Sequence, residues 1–233
     1  VLLPFILAIC LCGVFCLIPL TMYLLWLGAI TRRDRPTLVT GPWDFAGVLF
    51  ALSGFAIFGA GLVLSFAQAN FRFWMRGNFE ALRGAWAQER GSWVLLVGFY
   101  LVVLLSWAAL VLAARRRSLV VYNIEPAALE TLLTEVFEQL NRPLERRGKL
   151  WVGADPLFEL DTFEGGHTAT LRWVSDDERL FEEVSRMLRT ALASHASAEN
   201  PADGWVRSAA YGCGMVVVCC LGLLVYGLTL MAR

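Results

Sequence analysis

Six cysteines, two histidines and one closely spaced pair of carboxylates are the residues of this 233-residue chain whose types and spacing could do chemistry. The cysteines are Cys10, Cys12, Cys16, Cys213, Cys219 and Cys220. Thiolates so spaced could hold a soft metal or a redox pair between two helices. No histidine or carboxylate accompanies them, and all six fall in strongly apolar stretches. There cysteine serves as a small packing residue. His167 stands beside Gly165 and Gly166 and could act as a base or a ligand. No second ligand shares its spacing, so a solvated hairpin residue is expected. Glu159 and Asp161 lie two apart, on one face of any strand containing them. Such a pair can exchange protons or bind calcium, but the wet face of an antiparallel sheet displays the same pattern. Ser53, Ser65 and Ser106 lie in apolar stretches with no base nearby, as helix-packing serines do. There is no phosphate loop, no G-x-S-x-G and no HExxH. No catalytic residue, cofactor or metal is expected, and the residues weigh against an enzyme.

The elements that would position these residues follow from composition. The chain is 58% hydrophobic and 17% charged, with mean hydropathy +0.59. A soluble domain is about 45–50% apolar and about 25% charged. The excess sits in four blocks, each near or above the roughly 20 residues that cross a bilayer. They run over about 2–30, 43–67, 93–114 and 206–231. Pro19 is expected to kink the first. That block lacks a basic leading segment and is long for a signal peptide. Ala56 with Ala60, and Gly61 with Ser65, form small-xxx-small pairs in the second block; Gly59 lies within the first pair. Ser208 and Gly212 repeat the pattern in the fourth, and close helix packing is expected at all seven. Between blocks two and three, residues 70–90 read as an amphipathic helix in the membrane interface, anchored by Phe71, Trp74, Phe79 and Trp86.

Residues 118–198 read as a small soluble domain inserted between spans three and four, with 199–205 as a hinge. A strand over SLVVYNI precedes a helix opened by Pro126 and ended near Arg142-Pro143. Leu150–Val152 is a short strand. Leu157–Phe163 and Thr168–Val174 flank a Gly-Gly turn as a hairpin. Asp176-Asp177-Glu178 opens a second helix, favourably acidic at its N-terminus. The order is β-α-β-β-β-α, and an antiparallel sheet with both helices on one face is its natural packing. It is loosely similar to ferredoxin-like folds, without a visible closing strand. Its α-β-β-β-α part resembles the order of double-stranded RNA-binding domains, but Asp177, Glu178, Glu182 and Glu183 oppose RNA binding. The fold class is thus a four-span α-helical membrane protein with one interfacial helix and one small α+β domain.

Charge divides the same way. Residues 118–205 hold sixteen acids and eight bases, a net of −8, and the remainder carries +8. An acidic domain excludes nucleic acid as a partner and argues against lying flat on anionic lipid. Arg115, Arg116 and Arg117 close the third span, as on cytoplasmic loops. Nineteen of the twenty bases are Arg, a composition typical of GC-rich bacterial genomes. The location expected is a bacterial inner membrane with the domain in the cytoplasm. No span carries a deep ionisable residue, which argues against ion coupling by this chain alone. The absence of histidine from the spans leaves an intramembrane haem without its usual ligand. Three functions fit in descending order. The first is a non-catalytic integral membrane subunit or scaffold whose acidic cytoplasmic domain contacts partner proteins in a larger complex, with other membrane subunits or further copies of the chain as the expected partners. The second is a transport component whose pore forms only in an oligomer. The third is a membrane enzyme using Glu159, Asp161 and His167.

Overall fold

The computed structural model describes residues 2–67, 79–196 and 200–231. The elements in chain order are α1 (Leu2–Thr31), β1 (Thr37–Thr40), α2 (Gly41–Ala67), α3 (Phe79–Ala114), β2 (Ser118–Tyr122), α4 (Pro126–Gln139), β3 (Glu145–Arg147), β4 (Leu150–Val152), β5 (Pro156–Phe163), a 3-10 turn (Glu164–Gly166), β6 (Thr168–Trp173), α5 (Glu178–Ser194) and α6 (Asp203–Met231). Among the described residues, four helices are long and apolar enough to cross a membrane, with spans at Ile6–Thr31, Gly41–Gly59, Val97–Ala114 and Asp203–Leu230. Their surfaces are largely apolar and uncovered, as side chains facing lipid are. The protein is membrane-embedded and multi-pass.

One expectation is revised in α3. The sequence separates an interfacial helix over 70–90 from a span beginning at 93; the structure carries one helix from Phe79 to Ala114. Gly84 and Gly91 each weaken a helix by about 1 kcal/mol, which is too little to stop one that no proline interrupts. Phe79 and Trp86 lie on this helix. Phe71 and Trp74 fall outside the described residues.

The chain forms two compact units. The first comprises residues 1–24, 48–110 and 209–233. In it α1 and α2 approach at Gly54, where an added Cβ would stand 2.4 Å from the Phe15 carbonyl oxygen and 2.6 Å from the Cys16 Cα. Only a residue without a side chain permits that approach. Ala51, one turn earlier, is buried, and Phe15 packs against Phe58 with ring centroids 5.9 Å apart. The Tyr100 hydroxyl donates to the Ala56 carbonyl at 2.7 Å, joining α3 to α2.

The second unit comprises residues 25–47 and 111–208. Its six-stranded sheet has the order β1-β2-β6-β5-β4-β3, antiparallel throughout. Both α4 and α5 cover one face. Leu129, Leu133, Val136 and Phe137 of α4 and Leu180, Val184, Leu188 and Leu192 of α5 meet Leu119, Val121, Phe158, Leu160 and Leu171 of the sheet. Phe158 stacks between Trp151 and Trp173, with centroids 5.8 Å away on each side. Local chemistry sets the helix ends. Pro126 occupies the first turn of α4. Asn141, in the left-handed region at φ 53°, closes it, with Asn141 N–H bonded to Glu138 O and Arg142 N–H to Phe137 O. Asp177 caps α5 by accepting from Leu180 N–H at 3.0 Å.

Two strands escape sequence reading. β1 comes from the loop between the first two spans and pairs with β2 from Thr37 opposite Tyr122 to Thr40 opposite Leu119. β3 pairs with β4 at the opposite edge. The sheet face expected to be wet is covered at β2. There Val120 and Tyr122 pack on Ile30 and Leu27, the last turns of α1, together with Val39. Hence β2 is buried at all five positions, although its sheet is antiparallel.

Candidate functional site

The second unit contains more than the inserted domain. It takes in the last turns of α1 and α3 and the first turns of α2 and α6. Polar contacts tie each of these ends to the sheet or to one another, and Asn123 is at their centre. This residue follows β2, has φ 62° and is wholly buried. Asparagine tolerates that left-handed conformation better than most residues with a side chain. Its Nδ2 donates to the Ile30 carbonyl at 2.7 Å and, more weakly, to that of Arg33 at 3.4 Å. The Ile30 oxygen is one of the four carbonyls that the end of α1 leaves without a helical partner. Asn123 Oδ1 accepts from Asn200 Nδ2 at 2.9 Å. Asn200, buried in turn, also donates to Gly166 O at 2.8 Å and accepts from Ala202 N–H at 2.9 Å. One chain of hydrogen bonds thus joins the end of α1, the β2–α4 junction, the β5–β6 turn and the approach to α6.

Further contacts hold the remaining ends. The Tyr122 hydroxyl donates to Asp44 Oδ1 in the first turn of α2. The Arg115 guanidinium lies 4.7 Å from the centre of the Phe45 ring. Gly41, opening α2, leaves no room for a side chain: a Cβ there would stand 1.8 Å from Ser118 Oγ. Thr31 Oγ1 reaches Asp203 Oδ1 at 3.4 Å, and Arg207 approaches the same carboxylate at 3.8 Å.

The residues singled out for chemistry are scattered. Glu159 and Asp161 are exposed on β5, opposite Arg172 and Thr170. Asp161 is paired with Lys149 Nζ at 2.9 Å; its hydrogen bond and negative charge hold the lysine pKa above its ordinary value. His167 belongs to the hairpin turn with φ 42°, and its carbonyl accepts from Ile124 N–H at 3.1 Å. Its Nδ1 is buried without a hydrogen-bond partner among the described residues. Among the described residues, no group of three or more His, Cys, Asp or Glu could hold a metal. The six cysteines are free thiols; Cys220 Sγ lies 3.5 Å from where a Cβ on Gly13 would stand, which is a packing contact.

The small residues divide into two groups. Gly54, outside the expected motifs, makes the close approach. Ala56 contributes its carbonyl to Tyr100. Gly59 and Gly212 have no described atom within 4 Å of an added Cβ. Ser208 is exposed and returns its hydroxyl to Gly204 O at 2.9 Å. Ala60, Gly61 and Ser65 lie on α2. Of the three arginines after α3, Arg116 is exposed and Arg117 pairs with Asp176 at 3.0 Å. Arg115 lies over Phe45, while its carbonyl accepts from both N–H and Oγ of Ser118. Sequence reasoning missed Asn123 and Asn200, whose only signal is that each stands immediately before or near the start of a helix. Comparison with known proteins finds no matching family model, no matching curated protein and no matching solved structure.

Proposed function

We propose that this chain is a non-catalytic membrane subunit or scaffold, in which an acidic domain receives a partner protein and bears directly on the ends of the spans. The observation that carries this reading is the Asn123 node. It ties the sheet to the end of α1 and the approach to α6, within a compact unit that also takes in the ends of α2 and α3. A domain that merely hangs from a linker needs no such buried bonds. The exposed acids of α5, Glu178, Glu182 and Glu183, together with Asp176 and Asp177 before it, form a surface suited to a basic partner. Among the described residues nothing stands within 4 Å of an added Cβ at Gly59 or Gly212, which suits contact with further spans, from a second copy or from other subunits. The arginine-rich composition and the Arg115–Arg117 run support a bacterial inner membrane with the domain in the cytoplasm.

The test is purification from native membranes in mild detergent, with native mass measurement and identification of what co-purifies. Stoichiometric partners or a defined homo-oligomer are expected, lost on Gly59→Leu or Gly212→Leu. A lone monomer unaffected by either substitution refutes the reading. Solute flux through liposomes holding this chain alone would favour a pore instead.

A further inference from the structure

We infer that the second unit carries a binding site for a phosphate-bearing anion, and that its occupant is the headgroup of an anionic phospholipid. A cleft of about 560 Å³ opens between the segment that follows α1 and the C-terminal half of α5. Four arginines line it: Arg32, Arg33 and Arg35 from the segment, and Arg189 from α5. All four are exposed, and among the described residues none is held in an ion pair. Among the described residues, the one acid in the lining is Asp34. This is a concentrated positive site beside residues 118–205, which sum to −8 and contribute only Arg189 to it.

Retention of a loop on one side of a membrane requires only basic residues close to a span. It does not require Arg189, which arrives 157 positions after Arg32 and reaches the cleft because α5 packs against β1. Convergence of two distant segments on one cavity is what a ligand site needs. The residue type narrows the ligand. Guanidinium groups present paired N–H donors that match the oxygens of a phosphate, and here all four bases are arginine. Position narrows it again: Arg32 directly follows Thr31, the last residue of the first candidate span. A headgroup is delivered to that depth by its own membrane. Leu38 and Ala193 supply apolar wall beside the arginines, as suits a glycerol backbone.

The test uses the full chain in non-ionic detergent, titrated with dioleoylphosphatidylglycerol, dioleoylphosphatidylcholine or inorganic phosphate and followed by native mass spectrometry. The wild type is expected to retain phosphatidylglycerol in preference to phosphatidylcholine. Each arginine near a lipid phosphate contributes about fivefold in affinity. Arg35→Gln with Arg189→Gln should therefore weaken phosphatidylglycerol binding by about 25-fold and leave phosphatidylcholine unchanged. Arg147→Gln with Arg179→Gln, elsewhere on the domain, should change neither. Equal retention of the two lipids, or equal loss in both double variants, overturns the site. Saturation by inorganic phosphate that phosphatidylglycerol does not displace overturns the lipid assignment. Should the Arg35/Arg189 variant fail to fold, hydrogen exchange on the wild type decides. Amides of residues 33–38 must gain protection with phosphatidylglycerol and not with phosphatidylcholine, and no difference refutes the site.

Discussion

Replacing Asn123 tests the node that joins the sheet to the ends of the spans. Asn123→Gly keeps the left-handed backbone accessible and removes only the side chain. It deletes two well-formed bonds, to Ile30 O at 2.7 Å and from Asn200 Nδ2 at 2.9 Å. Each contributes about 1 kcal/mol net. The groups left behind are not fully stranded, since Ile30 O keeps the Arg33 amide at 3.1 Å and Asn200 keeps Gly166 O. No desolvation penalty for a stranded group is therefore added, and the two bonds together account for about 2 kcal/mol. For a chain of this size that lowers the thermal midpoint by about 4–8 °C. Asn123→Ala adds about 1 kcal/mol for a Cβ in the left-handed region, giving about 6–12 °C in all. Asn123→Asp is the most damaging, because it sets a buried carboxylate against the Ile30 carbonyl where an amide donor stood. The assay is thermal unfolding of the full chain in detergent, with hydrogen exchange read at Ser118–Tyr122 and Thr168–Trp173. The expected rank of destabilisation is Gly, Ala, Asp. Asn123→Gly and Asn200→Ala combined should cost less than the sum of the two alone, because they share a bond. A glycine variant that melts with the wild type, or strict additivity of the pair, refutes the node.

Three further outcomes follow from the packing. Gly54→Ala should destabilise the first unit by forcing α1 off α2, whereas Gly59→Ala, with nothing among the described residues within 4 Å of its Cβ, should hold the monomer's thermal midpoint or raise it by the alanine's better helix propensity; equal midpoints for the two variants would contradict the close approach at Phe15. Phe158→Ala should cost about 3–5 kcal/mol, because a wholly buried ring is removed from between two indoles; a shift of the Trp151 and Trp173 emission toward the red would accompany it, and a midpoint within 2 °C of wild type (about 1 kcal/mol or less) would refute the core assignment. The Lys149–Asp161 pair is exposed, so Lys149→Met should leave the midpoint at neutral pH unchanged. Since the folded lysine pKa is raised, any contribution of the pair is present at neutral pH and disappears as pH rises through that raised value; a gain in stability on alkaline titration attributable to Lys149 would have the wrong sign.

What could be read from the residues alone is what depends on neighbours in sequence. The four apolar blocks are visible because a span must satisfy its backbone within itself and face lipid along its length. The helices α4 and α5 announce themselves by leucines and valines at helical spacing, by Pro126 at one start and by Asp177 at the other. The β5–β6 hairpin shows in two alternating runs around Gly165-Gly166. The rest required partners far away in the chain. Thr37–Thr40 is too short to declare itself a strand and becomes one only because β2 presents an edge some 80 residues later. Gly54 resembles every other glycine in its span until α1 lies against it. Asn123 looks like an ordinary turn residue, and its role depends on carbonyls from α1 and on Asn200. The arginines after α1 read as a topology signal, and Arg189 reads as part of a solvated helix face; packing of α5 against β1 turns them into one cleft. Short-range pattern fixes the spans, the amphipathic helices and the longer strands, because propensity and hydropathy act locally. Buried polar bonds and charge clefts arise between segments, so only the tertiary structure determines them.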